Sequence, residues 1–398
     1  MAQPNPAAYL NLARAFRDFG DGFVAVLLPV YLTALGLGAF EVGLVATLAL
    51  LGSALMTLGI GLHSAGRDQR LLLIMASMLM VATGLAFAGA DSFPVLLLVA
   101  FMGTINPSAG SVSIFVPLEH ALLAGCASNI ERTRLFARYS LIGALAAAAG
   151  SLAAASPELL SSVGVSRLTA IKAMFLLYGL LGVAGGLMYQ RLPSLSVEEK
   201  ASSSSLGPSR SIVYKLAALF SIDAFAGGFV VQSLLALWLF DKFGLSLATA
   251  SVFFFWSGLC SAISFPAAAW LSRRIGLINT MVYTHIPSSM CLIGAAVSPR
   301  LDMALGLLLI RALLSQMDVP TRTSYVMAVV TPAERAAAAS LTSVPRSLAA
   351  AASPAIAGAM FAAGFTAWPL LICGTLKIAY DLLLLLAFRH IKPPEEQR

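Results

Sequence analysis

The chain is a series of long apolar segments, and each can cross the hydrocarbon core of a bilayer, which takes about 20 residues in an α-helix. Composition agrees, because 59% of the 398 residues are hydrophobic and 11% are charged, with a mean hydropathy of +0.88. We therefore predict an all-α polytopic membrane protein. Twelve apolar runs are predicted as transmembrane helices, near residues 12–36, 41–63, 70–90, 94–122, 134–155, 168–190, 212–240, 246–271, 276–298, 303–330, 336–363 and 367–389.

The twelve runs fall into two sets of six, separated by a polar segment. Residues 191–211 read RLPSLSVEEKASSSSLGPSRS, a composition that cannot bury apolar surface and that predicts a flexible linker. The predicted domains are therefore an N-terminal six-helix bundle, residues 1–190, and a C-terminal six-helix bundle, residues 212–398.

Basic residues concentrate in alternate loops, and this explains the net charge of +7 better than a nucleic-acid partner does. By the positive-inside rule the linker and both termini, including Arg389, are cytoplasmic. Arg300 lies in one of the sparsely charged loops of the opposite side. We expect an integral protein of a bacterial inner membrane, with the lipid bilayer as its surroundings.

The two halves share short sequence matches that indicate duplication. VPLEHALLA aligns with VPTRTSYVMA, which pairs Glu119 with Arg322. A weaker match of GFVAVLLPVYL with GFVVQSLLALWL pairs Gly22 with Gly228. Parallel six-helix repeats of this kind place a substrate site near the membrane midplane, between the repeats.

The loop between the second and third predicted helices carries part of a known motif, Gly-x-x-x-Asp-Arg-x-Gly-Arg-Arg/Lys, matched at Gly59, Gly66 and Arg67. The equivalent stretch of the second half keeps Arg274 and Gly276. With the repeat and the twelve runs, the chain resembles the major facilitator superfamily (MFS) of secondary transporters over essentially its whole length. The resemblance implies two six-helix bundles related by a pseudo-two-fold repeat, and a cytoplasmic gate at these five residues.

Charged side chains inside the predicted helices are the best indicators of function, because each costs about 2.5 to 3.5 kcal/mol at the bilayer centre. Seven of the eleven lie on the first, fourth, seventh and tenth helices, which the resemblance implies as lining the central cavity. The eleven are Asp18, Asp21, Glu119, Arg138, Asp223, Arg311, Asp318, Arg322, Arg346, Lys377 and Asp381.

Three of these carboxyl groups are predicted to couple transport to protons, because a buried carboxyl can exchange a proton near neutral pH. They are Asp21, Glu119 and Asp223. The alternative for each is a structural ion pair, and for Glu119 the repeat-related Arg322 is the expected partner. Lys377 and Asp381 are four residues apart and are predicted to pair with each other.

Arg322 is the main candidate for substrate binding, because a guanidinium can hold a carboxylate or phosphate through two hydrogen bonds. The alternative is an intrahelical pair with Asp318. Arg311 and Arg346 extend the basic surface. The neutral candidates are Asn106, Gln232, Gln316 and Tyr325.

No nucleophile motif, phosphate-binding loop or metal-ligand pattern is present, and the four cysteines lie far apart. We therefore expect no enzyme activity, no cofactor and no metal. The sequence predicts a monomeric, proton-coupled secondary transporter of a small organic solute, with an anionic or amphiphilic solute as one option. The alternative is a membrane sensor of the same fold that binds a ligand without moving it.

Overall fold

The computed structural model describes residues 6–63, 68–108, 113–125, 129–193, 206–331 and 334–391. The predicted gate residues Gly66 and Arg67 lie outside these ranges. The elements of the described ranges are all helices, which confirms the all-α class. They are α1 Pro6–Ala34, α2 Ala39–His63, α3 Gln69–Gly89, α4 Phe93–Met102, α5 Phe115–Gly125, α6 Asn129–Ala153, α7 Ser156–Ser162, α8 Arg167–Gln190, α9 Arg210–Gly228, α10 Gln232–Phe243, α11 Leu247–Ile275, α12 Leu277–Val297, α13 Leu301–Ser315, α14 Asp318–Val329, α15 Arg335–Ala362 and α16 Trp368–Phe388.

Nine segments of the described chain are long and apolar enough to cross a membrane. The first, fourth and eleventh predicted runs are not among the nine. α1 is 29 residues long but carries four charged side chains, and the fourth run is divided into α4 and α5, of 10 and 11 residues. The total of twelve spans therefore stays a prediction.

Three predicted runs are interrupted in the structure, between α4 and α5, between α9 and α10, and between α13 and α14. They are the fourth, seventh and tenth runs, three of the four expected to line the cavity. An interrupted helix leaves backbone N–H and C=O groups without helical partners, and such breaks inside a membrane are tolerated where they line a cavity or bind a ligand.

The chain forms two compact units. Unit 1 comprises Met1–Glu199 and Val231–Phe255, and unit 2 comprises Lys200–Val230 and Trp256–Arg398. The short helix α10 and the start of α11 thus group with unit 1. The division into domains at residues 190 and 212 stays a prediction, because contacts define compact units rather than repeats.

In unit 1, α1 is the central helix and packs against α6 and α8. Its residues from Gly20 to Leu32 are all buried. Glycines allow the close approach, because a Cβ on Gly22 would overlap the backbone oxygen of Ala147 on α6, and one on Gly150 would overlap that of Phe19.

In unit 2, α9 packs against α15 in the same way. A Cβ on Gly228 would overlap the backbone oxygen of Ala350, and Ser353 Oγ donates a hydrogen bond to Phe225 O at 2.6 Å. The alignments that pair Gly22 with Gly228 and Glu119 with Arg322 also pair Ala147 with Ala350. The α1–α6 and α9–α15 contacts are therefore corresponding contacts of the two repeats.

The start of α9 is attached to the loop before α15 through Glu334, whose side chain is buried. Glu334 Oε1 accepts a hydrogen bond from Gly207 N at 2.6 Å, and Oε2 accepts from Ser209 Oγ at 2.7 Å and from Thr331 Oγ1 at 2.6 Å. These hydrogen bonds to the ionised carboxylate lower the pKa of Glu334 to about 2.

Candidate functional site

Unit 1 contains a buried ion cluster centred on Glu119 of α5, whose side chain is 0% exposed. Arg17 Nη1 of α1 donates to Glu119 Oε2 at 2.8 Å, and Tyr189 Oη of α8 donates to Oε1 at 2.6 Å. Tyr139 of α6 donates a further hydrogen bond to Oε2. The guanidinium of Arg17 also lies 4.8 Å from the ring centroid of Phe115. This carboxylate is therefore fully satisfied within its own unit.

Asp18 completes the charge balance of this cluster. Arg14 Nε lies 2.5 Å from Asp18 Oδ2, and Arg17 Nε lies 3.4 Å from Oδ1. Two guanidinium groups thus face two carboxylates. Burial of charge is tolerated only with such pairing.

Asp21 lies one turn further along α1 and has no such partner. It is 1% exposed, and no ion pair involves it in the part of the chain that the structure describes. Its hydrogen bond comes from Tyr178 Oη, at 3.4 Å from Oδ1. Asp21 is therefore a buried acid of unit 1 that has no cation partner among the described residues.

Unit 2 contains a second cluster, centred on Asp223 of α9. Lys377 Nζ of α16 lies 2.5 Å from Asp223 Oδ1, and Arg322 Nη1 of α14 lies 3.2 Å from Oδ2. The same Arg322 atom also contacts Asp318 Oδ2 at 3.0 Å. The expected intrahelical pair of Arg322 with Asp318 is thus present, but Arg322 shares its charge with Asp223.

The predicted pair of Lys377 with Asp381 is wrong. Lys377 contacts Asp223, while Asp381 Oδ1 lies 3.0 Å from His285 Nδ1 of α12. The spacing of four residues permits an intrahelical pair, but partners on α9 and α12 approach these side chains from the protein interior. His285 is a buried polar residue that the sequence analysis did not single out, because an isolated histidine carries no pattern.

Arg346 of α15 is a cation of unit 2 that has no ion-pair partner among the described residues. Its Nε atom is buried and has no hydrogen bond, and no ion pair of the described residues includes it. The electrostatic neighbours of Arg346 include Arg322, Asp223 and Asp318. Both of these carboxylates are already bound by other cations, so Arg346 adds an uncompensated positive charge.

The ion pairs at the centres of the two clusters are counterparts in the repeat. The register that aligns Gly22 with Gly228 also aligns Arg17 with Asp223. The pair of Arg17 with Glu119 therefore corresponds to the pair of Asp223 with Arg322, with the two charges exchanged. Extending the weaker sequence match by five residues towards the N-terminus would have found this relation.

The neutral candidates are distributed over both units. Asn106, in the break between α4 and α5, accepts a hydrogen bond from Ser108 N, and Gln232 Nε2 at the start of α10 donates to Ser151 Oγ at 3.3 Å. Gln316 is the C-cap residue of α13.

Tyr325 of α14 is 0% exposed and belongs to the apolar core of unit 2. Its hydroxyl group donates to Ile391 O at 3.1 Å. Arg311 of α13 is partly buried, and its electrostatic neighbours are Cys291 and Cys373.

Three predicted gate residues are described. Gly59 lies on α2 with open space beside its Cα, and Arg274 of α11 places its guanidinium 5.0 Å from the ring centroid of Trp270. Gly276 has φ of +87° at the start of α12, a backbone conformation that favours glycine. This backbone conformation explains why residue 276 is a glycine.

Comparison with known proteins identifies the fold. A sequence relative, an uncharacterised membrane protein of Saccharomyces cerevisiae, is 21% identical over 333 residues, which cover 74% of each chain. A bacterial homologue of the human lysosomal transporter Spinster, in an inward-facing and unoccupied conformation, superposes with a TM-score of 0.68 at 16% identity, covering 97% of this chain and 96% of that one. The human organic anion transporter MFSD10 superposes with a TM-score of 0.66 at 17% identity, covering 96% of this chain and 100% of that one.

The family model of the Major Facilitator Superfamily matches residues 10–315, which is more than half of the chain. This match includes unit 1 from Leu10 in α1 onward, and in unit 2 it includes α9, the second part of α11, α12 and α13. The chain therefore belongs to the Major Facilitator Superfamily of membrane transporters.

Proposed function

We propose that this protein is a proton-coupled secondary transporter that moves a small organic anion by alternating access. We propose an anionic substrate because the Nε atom of Arg346 is buried and has no hydrogen-bond partner. A buried guanidinium N–H group without a hydrogen-bond partner is unfavourable, and a carboxylate or phosphate that binds the guanidinium through two hydrogen bonds offsets this cost.

Arg322 supports this site as a second cation. The charge of Arg322 is paired with Asp318 and Asp223, so it attracts an anionic ligand less strongly than the charge of Arg346 does. Arg311 on α13 is the third guanidinium that we propose for this ligand, and Gln316 at the end of that helix is a neutral candidate for it. The similarity to MFSD10 concerns the fold alone, so the proposal of an anionic substrate is based on these side chains.

Asp21 is the proposed proton site, because a carboxyl buried without a cation is more stable in its neutral form. Glu119 and Asp223 each hold a cation, and protonation of either would leave a buried guanidinium or ammonium group behind. We propose that these two acids exchange protons only when their cation partners move. Gly59, Gly66, Arg67, Arg274 and Gly276 remain the proposed cytoplasmic gate.

The test is uptake of radiolabelled small organic anions, mono- and dicarboxylates first, into proteoliposomes with an imposed pH gradient. We expect accumulation by the wild type and its loss in Asp21→Asn, which should retain exchange of labelled for unlabelled anion without a gradient. Arg346→Gln should lose both activities, because it removes the charge that binds the anion. Arg389→Gln is the matched control, since Arg389 is exposed at the end of α16.

Each outcome separates the proposals. Accumulation by Asp21→Asn equal to that of the wild type would contradict the proton site. If the protein transports a cationic or neutral compound and Arg346→Gln leaves that transport unchanged, the proposal of an anionic substrate is contradicted. Saturable binding with no uptake or exchange in any condition would favour the membrane sensor.

A further inference from the structure

The group that the proposed mechanism leaves unused is His285 of α12, which is buried with 3% of its surface exposed. Its two ring nitrogens have different partners. Nδ1 lies 3.0 Å from Asp381 Oδ1, and Nε2 lies 3.3 Å from Lys377 Nζ. Lys377 in turn contacts Asp223. A continuous line of polar contacts therefore runs from Asp381 through His285 and Lys377 to Asp223.

These contacts determine the protonation state of the imidazole. The ammonium group of Lys377 only donates hydrogen bonds, so it requires a lone pair on His285 Nε2. The carboxylate of Asp381 only accepts, so it requires a proton on Nδ1. His285 is accordingly neutral, with its proton on Nδ1, while Lys377 is charged and bound to Asp223.

We propose that His285 is a proton-transfer residue of unit 2 that takes a proton from Lys377 when Lys377 separates from Asp223. In this step the Lys377 Nζ–H bond breaks and an Nε2–H bond forms on His285. The products are a neutral amine and an imidazolium held by the carboxylate of Asp381. The total charge is unchanged, and the positive charge moves from beside Asp223 to beside Asp381.

This transfer has a physical purpose. Pulling a charged ammonium away from its carboxylate inside a membrane leaves that ammonium buried and unpaired, which is costly. When His285 takes the proton, Lys377 leaves as a neutral amine, and the new charge already has a carboxylate in contact. Asp223 keeps Arg322 as its cation. The ion pair of Asp223 with Lys377 can thus open during a conformational change.

The surroundings of His285 allow an imidazolium. On α16 it faces Asp381 and Lys377, and the Tyr380 ring lies 6.2 Å away. On α9, Asp223 Oδ1 lies 3.9 Å from Nε2. Helices α13 and α14 also pack against α12. Their charged residues are Asp302 and Arg311 on α13, and Asp318 and Arg322 on α14.

The test reads His285 directly, by nitrogen NMR of the full-length protein with ¹⁵N-labelled histidine in detergent micelles at pH 7. The four histidines give few signals, and His285→Gln identifies the one from His285. For the wild type we expect a protonated Nδ1 and an unprotonated Nε2. In Asp223→Asn, which removes the carboxylate holding Lys377, we expect the Nε2 signal to move to the position of a protonated nitrogen.

The matched control adds Lys377→Met to Asp223→Asn. Without the lysine no proton can be passed on, so Nε2 should remain unprotonated. A wild-type imidazole protonated on Nε2 alone would overturn the proposal without any variant, and this measurement does not depend on whether Asp223→Asn folds. An Nε2 signal that is unchanged in Asp223→Asn would overturn it as well.

This inference rests on the proposed transport function, but its test requires no substrate. If the NMR result is as expected and no anion is transported, the proton transfer stands and the substrate class fails. If anions are transported and His285 stays neutral in every variant, the proposed function stands and the role of His285 fails.

Discussion

At the scale of residues, the two ion clusters of this transporter explain how so many charges remain inside a membrane protein. In unit 1 each ionised carboxylate of the cluster has a guanidinium partner, and Asp21 is the surplus acid. In unit 2, Arg346 has no ion pair among the described residues. We propose that these two unpaired groups bind the proton and the ligand.

Exchange of the charges in unit 1 tests the repeat relation. Either single change, Arg17→Glu or Glu119→Arg, leaves a buried charge facing a like charge, and we expect a loss of about 3 to 5 kcal/mol in unfolding free energy. The double change recreates the order of charges found at Asp223 and Arg322 in unit 2. It should recover at least half of the lost stability, measured by chemical denaturation in detergent.

Additivity of the two single changes would contradict this prediction, because independent sites give additive free energies while contacting sites do not. The change Arg335→Glu serves as the control, since Arg335 is exposed and pairs with no carboxylate in the described structure.

At the scale of elements, helix contacts depend on single glycines. We expect Gly22→Ala to destabilise unit 1, because the added methyl group would overlap Ala147 O and force α1 away from α6. Gly306→Ala in α13 is the matched control. No atom lies within 4 Å of the position that its Cβ would take, and replacing a helical glycine by alanine then stabilises by about 0.4 to 1 kcal/mol. Melting temperatures of the two variants should therefore shift in opposite directions.

The attachment of α9 to the loop before α15 should respond to pH. The hydrogen bonds to Glu334 lower its pKa to about 2, whereas an unfolded glutamate has a pKa of about 4.3. A lowered folded pKa means that the carboxylate contributes stability above the unfolded value and loses it as pH falls towards the folded one. The stability difference between the wild type and Glu334→Gln should be constant above about pH 5 and should shrink between about pH 4.3 and 2.

If the stability difference between the wild type and Glu334→Gln stays constant down to pH 3, the negative charge of Glu334 does not contribute to stability and the prediction is wrong. Thr331→Val is an independent check, because it removes one hydrogen-bond donor to the Glu334 carboxylate. The pKa of Glu334 in the folded protein should rise, so stability should change over a narrower range of pH.

At the scale of the whole molecule, the membrane topology is a prediction from loop charges. We propose cytoplasmic termini in a bacterial inner membrane, and a protein in which both six-helix repeats belong to one monomer. In a variant without its four native cysteines, Arg389→Cys should react with a membrane-impermeant maleimide only from the cytoplasmic side. Arg300→Cys should react only from the opposite side, and both positions are exposed. Labelling of both positions from one side would contradict the three spans that we predict between them.

Much of this molecule could be predicted from its sequence, because the requirements of a membrane are simple. A helix satisfies nearly all of its own backbone groups, as the interior of a bilayer requires, so apolar length predicts helical spans. The match that pairs Glu119 with Arg322 predicted the internal repeat. It also led to an expected contact between those two residues, whereas each is paired inside its own unit.

The partners of the charged side chains were decided by tertiary structure. Sequence spacing predicts which residues of one helix can pair, as it did for Asp318 and Arg322. It does not show which helices are neighbours. Lys377 was expected to pair with Asp381 and contacts Asp223 and His285 instead. The sequence by itself determined the all-α class, the repeat and the presence of buried charge, but not where the helices are interrupted. In unit 2, only the packing of α9, α12, α14 and α16 decided which charged side chains pair with each other. The physical reason is that ion pairing depends on distances between side chains of different helices.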